Sequence, residues 1–313
     1  MENKSIHRSQ TSLGFFEIIR ESFKTTKRNG KVLGPILFLV FVSFSVLDFS
    51  QKYMLSPVVK DFVSQLAKHP NMVQDFNYNI DQGVLNDIRE ILLVKLLCMA
   101  TSSIITLTFL VTIISSSYEA HTAKVLDPKD LNLIFLKSWK RPLVTSFYMT
   151  LLSFGIVFLY FISMGIATIL AGNSWTLVFV GAIALSIPVC YFYMAALWVL
   201  SVVVSVLEEG CGGVKAIGRA GELMNGKRLK ASLMMVLFAV AYGTVHQIAN
   251  AVICDNMTLG VELAIRIPLT NGLFCLSTLF MFVVYTVFYH EWKTINDEKG
   301  GKGYYLPIAN GEA

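Results

Sequence analysis

Residues 175–207 read WTLVFVGAIALSIPVCYFYMAALWVLSVVVSVL, and none of them is Asp, Glu, Lys or Arg. A helix that crosses a membrane needs about 20 mostly apolar residues, and this stretch is longer than that. It is apolar nearly all round, whereas a helix on the surface of a soluble protein is apolar on one side only. The stretch therefore predicts a transmembrane helix.

Five further stretches of the chain have the same character. They run from about Val32 to Leu55, about Ile91 to Ser117, Leu143 to about Leu170, Leu229 to about Ile253, and Leu263 to Tyr289. The 313-residue chain is 54% hydrophobic and only 15% charged, against about 25% charged residues in an average soluble domain. The sequence therefore predicts an all-α polytopic membrane helix bundle with six transmembrane helices, and it excludes an ordinary soluble enzyme.

The basic residues divide unevenly between the segments that join these spans. Twenty of the 26 Lys and Arg residues lie before span one, after span two, after span four including the first turn of span five, and after span six. Because basic segments stay on the cytoplasmic side, both termini are expected in the cytosol, with the chain in an endomembrane or the plasma membrane. The predicted divisions are a cytoplasmic amphipathic lead-in (1–31), a six-span membrane domain (32–292) with an extracytoplasmic segment at about 51–90, and a cytoplasmic tail (293–313). Charges that flank spans in this way do not indicate nucleic-acid binding.

Three short segments that precede spans one, three and five resemble one another. Each has an Ile, then Ser or Gly four residues later, with basic residues nearby: Ile18–Lys24, Ile134–Lys140 and Ile217–Gly221. Two spans follow each segment. The pattern predicts a threefold repeat of an interfacial helix plus a two-span hairpin.

These lead-in segments are expected to form amphipathic helices in the headgroup layer. Phe16, Ile19 and Phe23 share a face of the first, and Trp139 belongs to the apolar face of the second, which Asp127 would cap. The third is expected to place on one face Val214, Ile217, Gly221 and Met224. An apolar stripe beside basic residues is typical of a helix that lies on a membrane surface. Phe16, Ile19, Phe23 and Trp139 are therefore candidate lipid-facing residues, with anionic membrane lipids as partners; the alternative is that these helices only cover the ends of the bundle.

Polar residues inside two of the spans form a second candidate site. His246, Gln247 and Asn250 are close together in span five, and Arg266 and Asn271 lie at similar depth in span six. Because polar groups are costly in lipid, these five residues are candidates for a polar pocket between the two spans. The alternative is that the longer side chains reach the interface and that one hydrogen bond joins the helices.

The sequence shows no recognisable catalytic or metal-binding motif. Its five cysteines form no CxxC pair and no zinc-site spacing, and Glu209–Gly213 lacks the Lys and Ser or Thr of a phosphate loop. The acids within 51–90 do not have EF-hand spacing; that segment is expected to contain one helix, capped by Ser56 and begun by Pro57. We therefore expect no cofactor, no metal and no catalytic residues.

Several short segments carry a family resemblance. LGFFEIIRESFK at Leu13–Lys24, RNGK at Arg28–Lys31, KSWKRP at Lys137–Pro142 and EEG at Glu208–Gly210 resemble segments of a family of plant six-span transmembrane proteins of unknown function. That family is distantly similar to the membrane domain attached to some bacterial glycerophosphodiester phosphodiesterases. The resemblance implies a helical membrane fold and no catalytic residues, because the bacterial hydrolase chemistry belongs to a separate soluble barrel.

Two functions follow as hypotheses. The first is a non-enzymatic membrane protein that organises or binds lipids, or unidentified membrane or cytosolic proteins, through its cytoplasmic interfacial helices. The second is a transporter or lipid-handling carrier that uses the polar pocket, since repeats with sites between them are common in transporters. An intramembrane enzyme is a third class, and no motif favours it.

Overall fold

A computed structural model describes residues 14–68, 82–121, 139–169, 174–252 and 259–302. Within these ranges the chain is almost wholly helical and contains no strand. The predicted second lead-in helix, with its cap at Asp127, lies outside the described residues except for Trp139 and Lys140. The end of the predicted tail, from 303 onward, also lies outside them.

Eight helices occupy the described ranges. They are α1 (Phe15–Arg28), α2 (Gly30–Lys68), α3 (Gln82–His121), α4 (Lys140–Ile169), α5 (Ser174–Leu207), α6 (Val214–Met224), α7 (Arg228–Val252) and α8 (Leu259–Lys302).

Five stretches of described helix are long and apolar enough to cross a membrane. They are Gly30–Ser64, Leu85–Ala120, Lys140–Ile166, Val189–Leu207 and Ala264–Thr294. These stretches overlap the predicted spans one to four and six, and the prediction of an all-α membrane helix bundle is confirmed. The predicted fifth span falls in α7, which is not among the five; the count of six spans and the threefold repeat stay predictions.

The chain divides into two compact units. Unit 1 comprises Met1–Leu33, Val111–Ala241 and Thr278–Ala313, and unit 2 comprises Gly34–Leu110 and Tyr242–Ser277. Unit 1 contains α1, α4, α5 and α6 entirely, whereas α2, α3, α7 and α8 contribute residues to both units.

In unit 1, α5 packs against α4 and α6, and α4 also contacts α6. The buried face of α6 consists of Ala216, Ala220, Leu223 and Met224, while Val214 is exposed. Of the predicted stripe of Val214, Ile217, Gly221 and Met224, only Met224 belongs to this buried face. The two alanines are small and one turn apart, so they let the helix approach its neighbours closely.

The ends of α2 and α3 also differ from prediction. The segment at 51–90 was expected to contain a separate helix that begins at Pro57, but α2 continues through Pro57 to Lys68. Proline lacks the N–H that would bond the carbonyl four residues earlier, yet long apolar helices tolerate such an interruption where other groups satisfy the freed carbonyl. α3 begins at Gln82, nine residues before the predicted start of its span.

Candidate functional site

The exposed face of α1 combines aromatic and basic side chains. Phe16 is 81% exposed and Phe23 is 61% exposed, and Arg20, Lys24 and Lys27 are exposed with them. These positions are separated by three, four or seven residues along most of the face, so they lie on one side of the helix. The helix therefore presents an apolar and cationic surface, which we call the α1 face: Phe16, Arg20, Phe23, Lys24 and Lys27.

The opposite side of α1 is buried in unit 1. Ile18, Ser22 and Thr25 are each at most 2% exposed. The Ser22 hydroxyl donates to the Ile18 carbonyl at 2.7 Å, which satisfies a polar group that would otherwise be buried without a partner. The orientation of the α1 face is thus fixed by packing on the other side of the helix.

Both ends of α1 are secured by hydrogen bonds. At its start, the Gly14 N–H donates to Glu17 Oε2 at 2.7 Å, and an acidic side chain in the first turn suits the positive end of a helix dipole. At its end, the Asn29 side-chain amide donates to the Ser116 carbonyl at 3.0 Å and to the Ser116 hydroxyl. Asn29 thereby ties the turn between α1 and α2 to α3.

Ile19 and Trp139 were also predicted to face lipid, and they differ in exposure. Ile19 is half-buried on α1, and Trp139 is exposed in the turn before α4. Phe23 also stacks against Phe280 of α8, with ring centroids 4.3 Å apart. The exposure of Phe16, Phe23 and Trp139 is compatible with lipid contact, which itself stays a prediction.

Glu208, directly after α5, joins three other helices of unit 1. Its Oε1 accepts a hydrogen bond from the Tyr289 hydroxyl of α8 at 2.9 Å, and its Oε2 lies 3.7 Å from Arg219 Nε of α6. Its backbone carbonyl accepts from Arg141 of α4 at 3.1 Å. A carboxylate that is only 15% exposed needs such partners, because an unpaired charge is costly to bury.

The thiol of Cys211 lies beside Glu208, with Sγ 3.6 Å from Oε2. Burial raises the pKa of the Cys211 thiol, and the charge of Glu208 and a hydrogen bond to it raise that pKa further. The pKa of Arg219 is also raised, first by its hydrogen bond to Glu222 at 3.0 Å and then by the charge of Glu208. Since the thiolate is the nucleophilic form, Cys211 is poorly suited to nucleophilic chemistry.

Gly213 sets the start of α6. Its backbone has φ +59, a left-handed conformation that costs other residues energy. A Cβ atom here would lie 3.3 Å from side-chain atoms of Tyr148 and Val144 on α4. The Gly213 N–H donates to the buried hydroxyl of Thr145 at 2.9 Å, so the glycine allows the backbone to approach α4 closely.

A second ion pair connects the α6–α7 turn to α8. Lys227 Nζ lies 3.8 Å from Glu291 Oε1, and both side chains are largely buried. The same ammonium lies 4.2 Å from the centre of the Trp292 ring, a cation–π distance. Glu208, directly after α5, and Glu291 of α8 therefore each pair with a basic residue in α6 or in the turn after it.

The predicted polar pocket falls on residues of unit 2. His246 is half-buried with its ring centroid 6.2 Å from that of Tyr242, Gln247 is exposed, and Arg266 is half-buried. Asn250 lies in α7, but its side chain lies outside the described part of the structure. Asn271 is buried, and the proposed pocket of these residues stays a prediction.

Sequence reasoning missed the hydrogen-bond partner of Asn271. Its side-chain amide donates to Asp48 Oδ2 of α2 at 2.9 Å. The available signal was that both polar residues occur inside apolar stretches, where such groups tend to pair; nothing in the sequence linked positions 223 residues apart.

Unit 2 also contains an apolar cavity of about 420 Å³ between α2 and α8. One wall belongs to α2 and the other to α8: Phe41, Val42, Ser45, Val46, Phe49 and Ser50 on the first, Ala264, Ile267 and Pro268 on the second. Among the described residues, no group of three or more His, Cys, Asp or Glu side chains is arranged to hold a metal ion.

Helices of this length and composition define a multi-pass α-helical membrane protein. Residues 5–304 match a domain of unknown function, DUF8558, and the chain belongs to that family. No curated protein and no solved structure matches the chain.

Proposed function

We propose that this protein is a non-enzymatic membrane protein that binds anionic lipid headgroups through the α1 face. The observation that carries the proposal is the coincidence of two exposed phenylalanines with three exposed basic residues on one side of α1. Phenylalanine on the apolar side of an interfacial helix inserts at the boundary between headgroups and acyl chains, and each basic residue near an anionic surface contributes about 1 kcal/mol of attraction. The proposal places α1 in the headgroup layer of the cytoplasmic leaflet.

The attachment of α1 to the rest of unit 1 supports this role. Ile18, Ser22 and Thr25 are buried, and Asn29 is bonded to Ser116 of α3. The helix is therefore held with one defined side outward before any lipid arrives. A preorganised surface loses less conformational freedom on binding than a segment that must first fold.

The proposal is tested on the full chain reconstituted in phosphatidylcholine vesicles that contain spin-labelled phosphatidylserine or phosphatidylcholine. Electron paramagnetic resonance then measures the fraction of each label held by the protein. The wild type should hold phosphatidylserine in preference, and the preference should fall by threefold or more, and become less sensitive to salt, in the variant Arg20→Gln/Lys24→Gln/Lys27→Gln.

A matched control removes three exposed basic residues elsewhere. The control variant is Lys52→Gln/Lys60→Gln/Arg89→Gln, whose residues are all exposed and predicted to face the other side of the membrane. It should retain the preference of the wild type. An equal loss in both variants, or no preference in the wild type, would overturn the proposal.

A lipid-handling carrier is the second candidate. The Asp48–Asn271 hydrogen bond favours it, because paired polar residues within membrane helices often mark transport pathways. Proteoliposomes with a fluorescent phosphatidylcholine and external dithionite measure lipid exchange between leaflets. A carrier predicts faster exchange than in protein-free vesicles, and slower exchange in His246→Ala and Arg266→Ala; exchange at the protein-free rate would contradict it.

A relation to the plant six-span proteins and to the bacterial phosphodiesterase membrane domain is also part of the proposal. The chain belongs to a family of unknown function, whereas the plant origin of that family and its similarity to the bacterial phosphodiesterase membrane domain rest on the short motifs quoted above.

A further inference from the structure

Four cations lie close together in the chain where α1 ends and α2 begins. Lys24, Lys27, Arg28 and Lys31 are all exposed, and residues 22–47 contain no Asp or Glu. Lys24 and Lys27 belong to the α1 face, whereas Arg28 and Lys31 lie beyond it. We call these four residues the basic cluster.

The basic cluster lies at the point where the chain is predicted to enter the membrane. The apolar stretch Gly30–Ser64 begins between Arg28 and Lys31, and the predicted topology places this end of the stretch in the cytosol. Clusters of about four to eight basic residues directly on the cytoplasmic side of a membrane helix favour anionic lipids. The cluster is therefore placed to meet the headgroups of the cytoplasmic leaflet.

Hydrogen bonds hold the turn that carries the cluster. Thr25 is 2% exposed, and its carbonyl accepts from the Asn29 N–H at 3.1 Å. The side-chain amide of Asn29 donates to the Ser116 carbonyl of α3 at 3.0 Å. The N–H groups of Val32 and Leu33 both donate to the Asn29 carbonyl at 3.0 Å. The backbone of the cluster is thus positioned before a ligand arrives, which reduces the conformational freedom lost on binding.

The cations are closer together than the charges of singly charged lipids. Lys24 is three residues from Lys27 and four from Arg28, and side chains at these separations on a helix have Cβ atoms about 5–6 Å apart. A lipid with one charge also carries two acyl chains, which keep the charges of neighbouring lipids further apart than this. Phosphates on neighbouring carbons of one ring match the closer spacing, so the cluster favours a headgroup with several phosphates.

The charge of the cluster also suits such a headgroup. A phosphomonoester carries about −1.5 to −2 at pH 7, so an inositol lipid with two of them and its phosphodiester carries about −4 to −5. The cluster supplies a cation from each of its four residues. Lys24 also pairs with Glu21, whose Oε1 lies 3.6 Å from Lys24 Nζ, but these side chains are 74% and 36% exposed. An exposed ion pair of this kind is weak, so it leaves Lys24 able to bind a phosphate.

We infer that the basic cluster binds the headgroup of a polyphosphoinositide, that is, an inositol lipid with two or more phosphomonoesters. This assignment rests on the proposed function, because it names the anionic lipid that this side of the protein selects, and it adds Arg28 and Lys31 to the residues that contact the headgroup. Phe23 is exposed next to Lys24. It suits a lipid rather than a free inositol phosphate, because it can contact acyl chains while the cations hold the phosphates.

The test uses the full chain in dodecyl maltoside and measures the Kd of each ligand by microscale thermophoresis. The ligands are dioctanoyl phosphatidylinositol bisphosphate, dioctanoyl phosphatidylserine and free inositol trisphosphate. We expect the bisphosphate lipid to bind at least tenfold more tightly than phosphatidylserine, which has fewer charges, and at least tenfold more tightly than the trisphosphate, which has no acyl chains. A smaller ratio in either comparison would overturn the inference.

Variants separate the cluster from positive charge in general. Arg28→Gln/Lys31→Gln should weaken binding of the bisphosphate lipid about 30-fold, because each basic residue contributes about fivefold. The matched control Lys215→Gln/Arg228→Gln removes two exposed cations elsewhere in unit 1 and should weaken binding less than threefold. The charge-retaining variant Arg28→Lys/Lys31→Arg should bind within threefold of the wild type. A loss in either of these two variants as large as that in Arg28→Gln/Lys31→Gln would overturn the inference.

Binding of a singly charged lipid distinguishes this site from the α1 face. Arg28→Gln/Lys31→Gln should change the phosphatidylserine preference measured in vesicles less than twofold, because that preference depends on the α1 face. If the wild type prefers phosphatidylserine to phosphatidylcholine but binds the bisphosphate lipid no more tightly than phosphatidylserine, the proposed function stands and the polyphosphoinositide site is wrong. If the wild type lacks the phosphatidylserine preference but binds the bisphosphate lipid through Arg28 and Lys31, the role of the α1 face is wrong and the basic cluster stands.

Discussion

The hydroxyl of Tyr289 donates to Glu208 Oε1 at 2.9 Å and so joins the last part of α8 to the end of α5. Tyr289 is 1% exposed, and Glu208 is also held by Arg219 of α6. The pair is therefore the centre of a polar cluster inside unit 1. Lys293 Nζ also donates to the Tyr289 hydroxyl at 3.3 Å, and because Tyr289 and Glu208 are largely buried, each of these hydrogen bonds is costly to remove.

We predict that Tyr289→Phe destabilises the protein by about 1.5–3 kcal/mol, the usual range for a hydrogen bond to a charged group. The substitution removes only the hydroxyl, so apolar packing is retained. Thermal unfolding of the full chain in detergent, followed by circular dichroism, measures the effect. Tyr53→Phe is the control, because Tyr53 is 77% exposed; equal melting temperatures for the two variants would contradict a stabilising role of the Glu208 contact.

The raised pKa of Cys211 predicts a specific pH dependence. In a chain whose other four cysteines are replaced by Ala, the rate of alkylation by iodoacetamide should reach half its maximum above the ordinary pKa of 9.0, because only the thiolate reacts. The same shift makes the free energy of unfolding depend on pH. Because the pKa of Cys211 is higher in the folded than in the unfolded protein, its contribution to stability is fully present below about pH 9 and is lost as the pH rises through the folded pKa.

Glu208→Gln tests the cause of that shift. Removing the carboxylate charge should lower the pKa of Cys211 and increase the alkylation rate at pH 8 severalfold, while the contribution of burial remains. Glu209→Gln neutralises the adjacent exposed acid and should have little effect. If both variants kept the pH profile of the parent, Glu208 would not be responsible for the shift.

The left-handed backbone of Gly213 gives a prediction about α6. Gly213→Ala should destabilise the protein by about 1–2 kcal/mol, because an L-residue is strained at φ +59 and its Cβ would press on Tyr148 and Val144. Gly218→Ala is the control on the same helix; nothing lies within 4 Å of its added Cβ, and alanine in a helix interior should stabilise it by about 0.5–1 kcal/mol. Opposite shifts in melting temperature are expected, and shifts of the same sign would contradict the role assigned to Gly213.

The long apolar stretches made the membrane helices predictable, because length and hydropathy are properties of contiguous residues. The same is true of the exposed aromatic side of α1, where Phe16 and Phe23 are close in sequence. Sequence patterns did not reveal the buried face of α6, because Ala216 and Ala220 contribute little hydrophobicity and act through their small size.

Contacts between distant residues could not be derived in this way. The Tyr289–Glu208 bond joins positions 81 residues apart, and its existence depends on how α5 and α8 pack. Arg219 and Lys227 were counted only among the basic residues that set membrane topology, although in the structure they pair with Glu208 and Glu291. A basic residue can keep its segment on the cytoplasmic side during insertion and also form an ion pair with an acid once the chain has folded.

The predicted topology is testable directly. Because 20 of the 26 basic residues fall on one side, tags placed before residue 1 and after residue 313 should both be digested by protease added to sealed microsomes in which the cytosolic side is outward. A tag inserted within residues 69–81 should be protected until detergent is added. Protection of either terminal tag would contradict an even number of spans with cytosolic ends.

The Asp48–Asn271 hydrogen bond either adds net stability to unit 2 or only offsets the cost of burying two polar groups, and substitutions can distinguish the two cases. Asn271→Leu should destabilise the protein by about 1–3 kcal/mol, because the half-buried carboxylate of Asp48 loses its amide donor. Replacing both residues, in Asp48→Leu/Asn271→Leu, should cost much less, since no polar group is then left without its partner. A double-mutant cycle on unfolding of the reconstituted chain measures the coupling between the two positions, which we expect at about 0.6–2 kcal/mol for a hydrogen bond between membrane helices. Additive effects of the two single substitutions would show that the contact contributes no coupling energy.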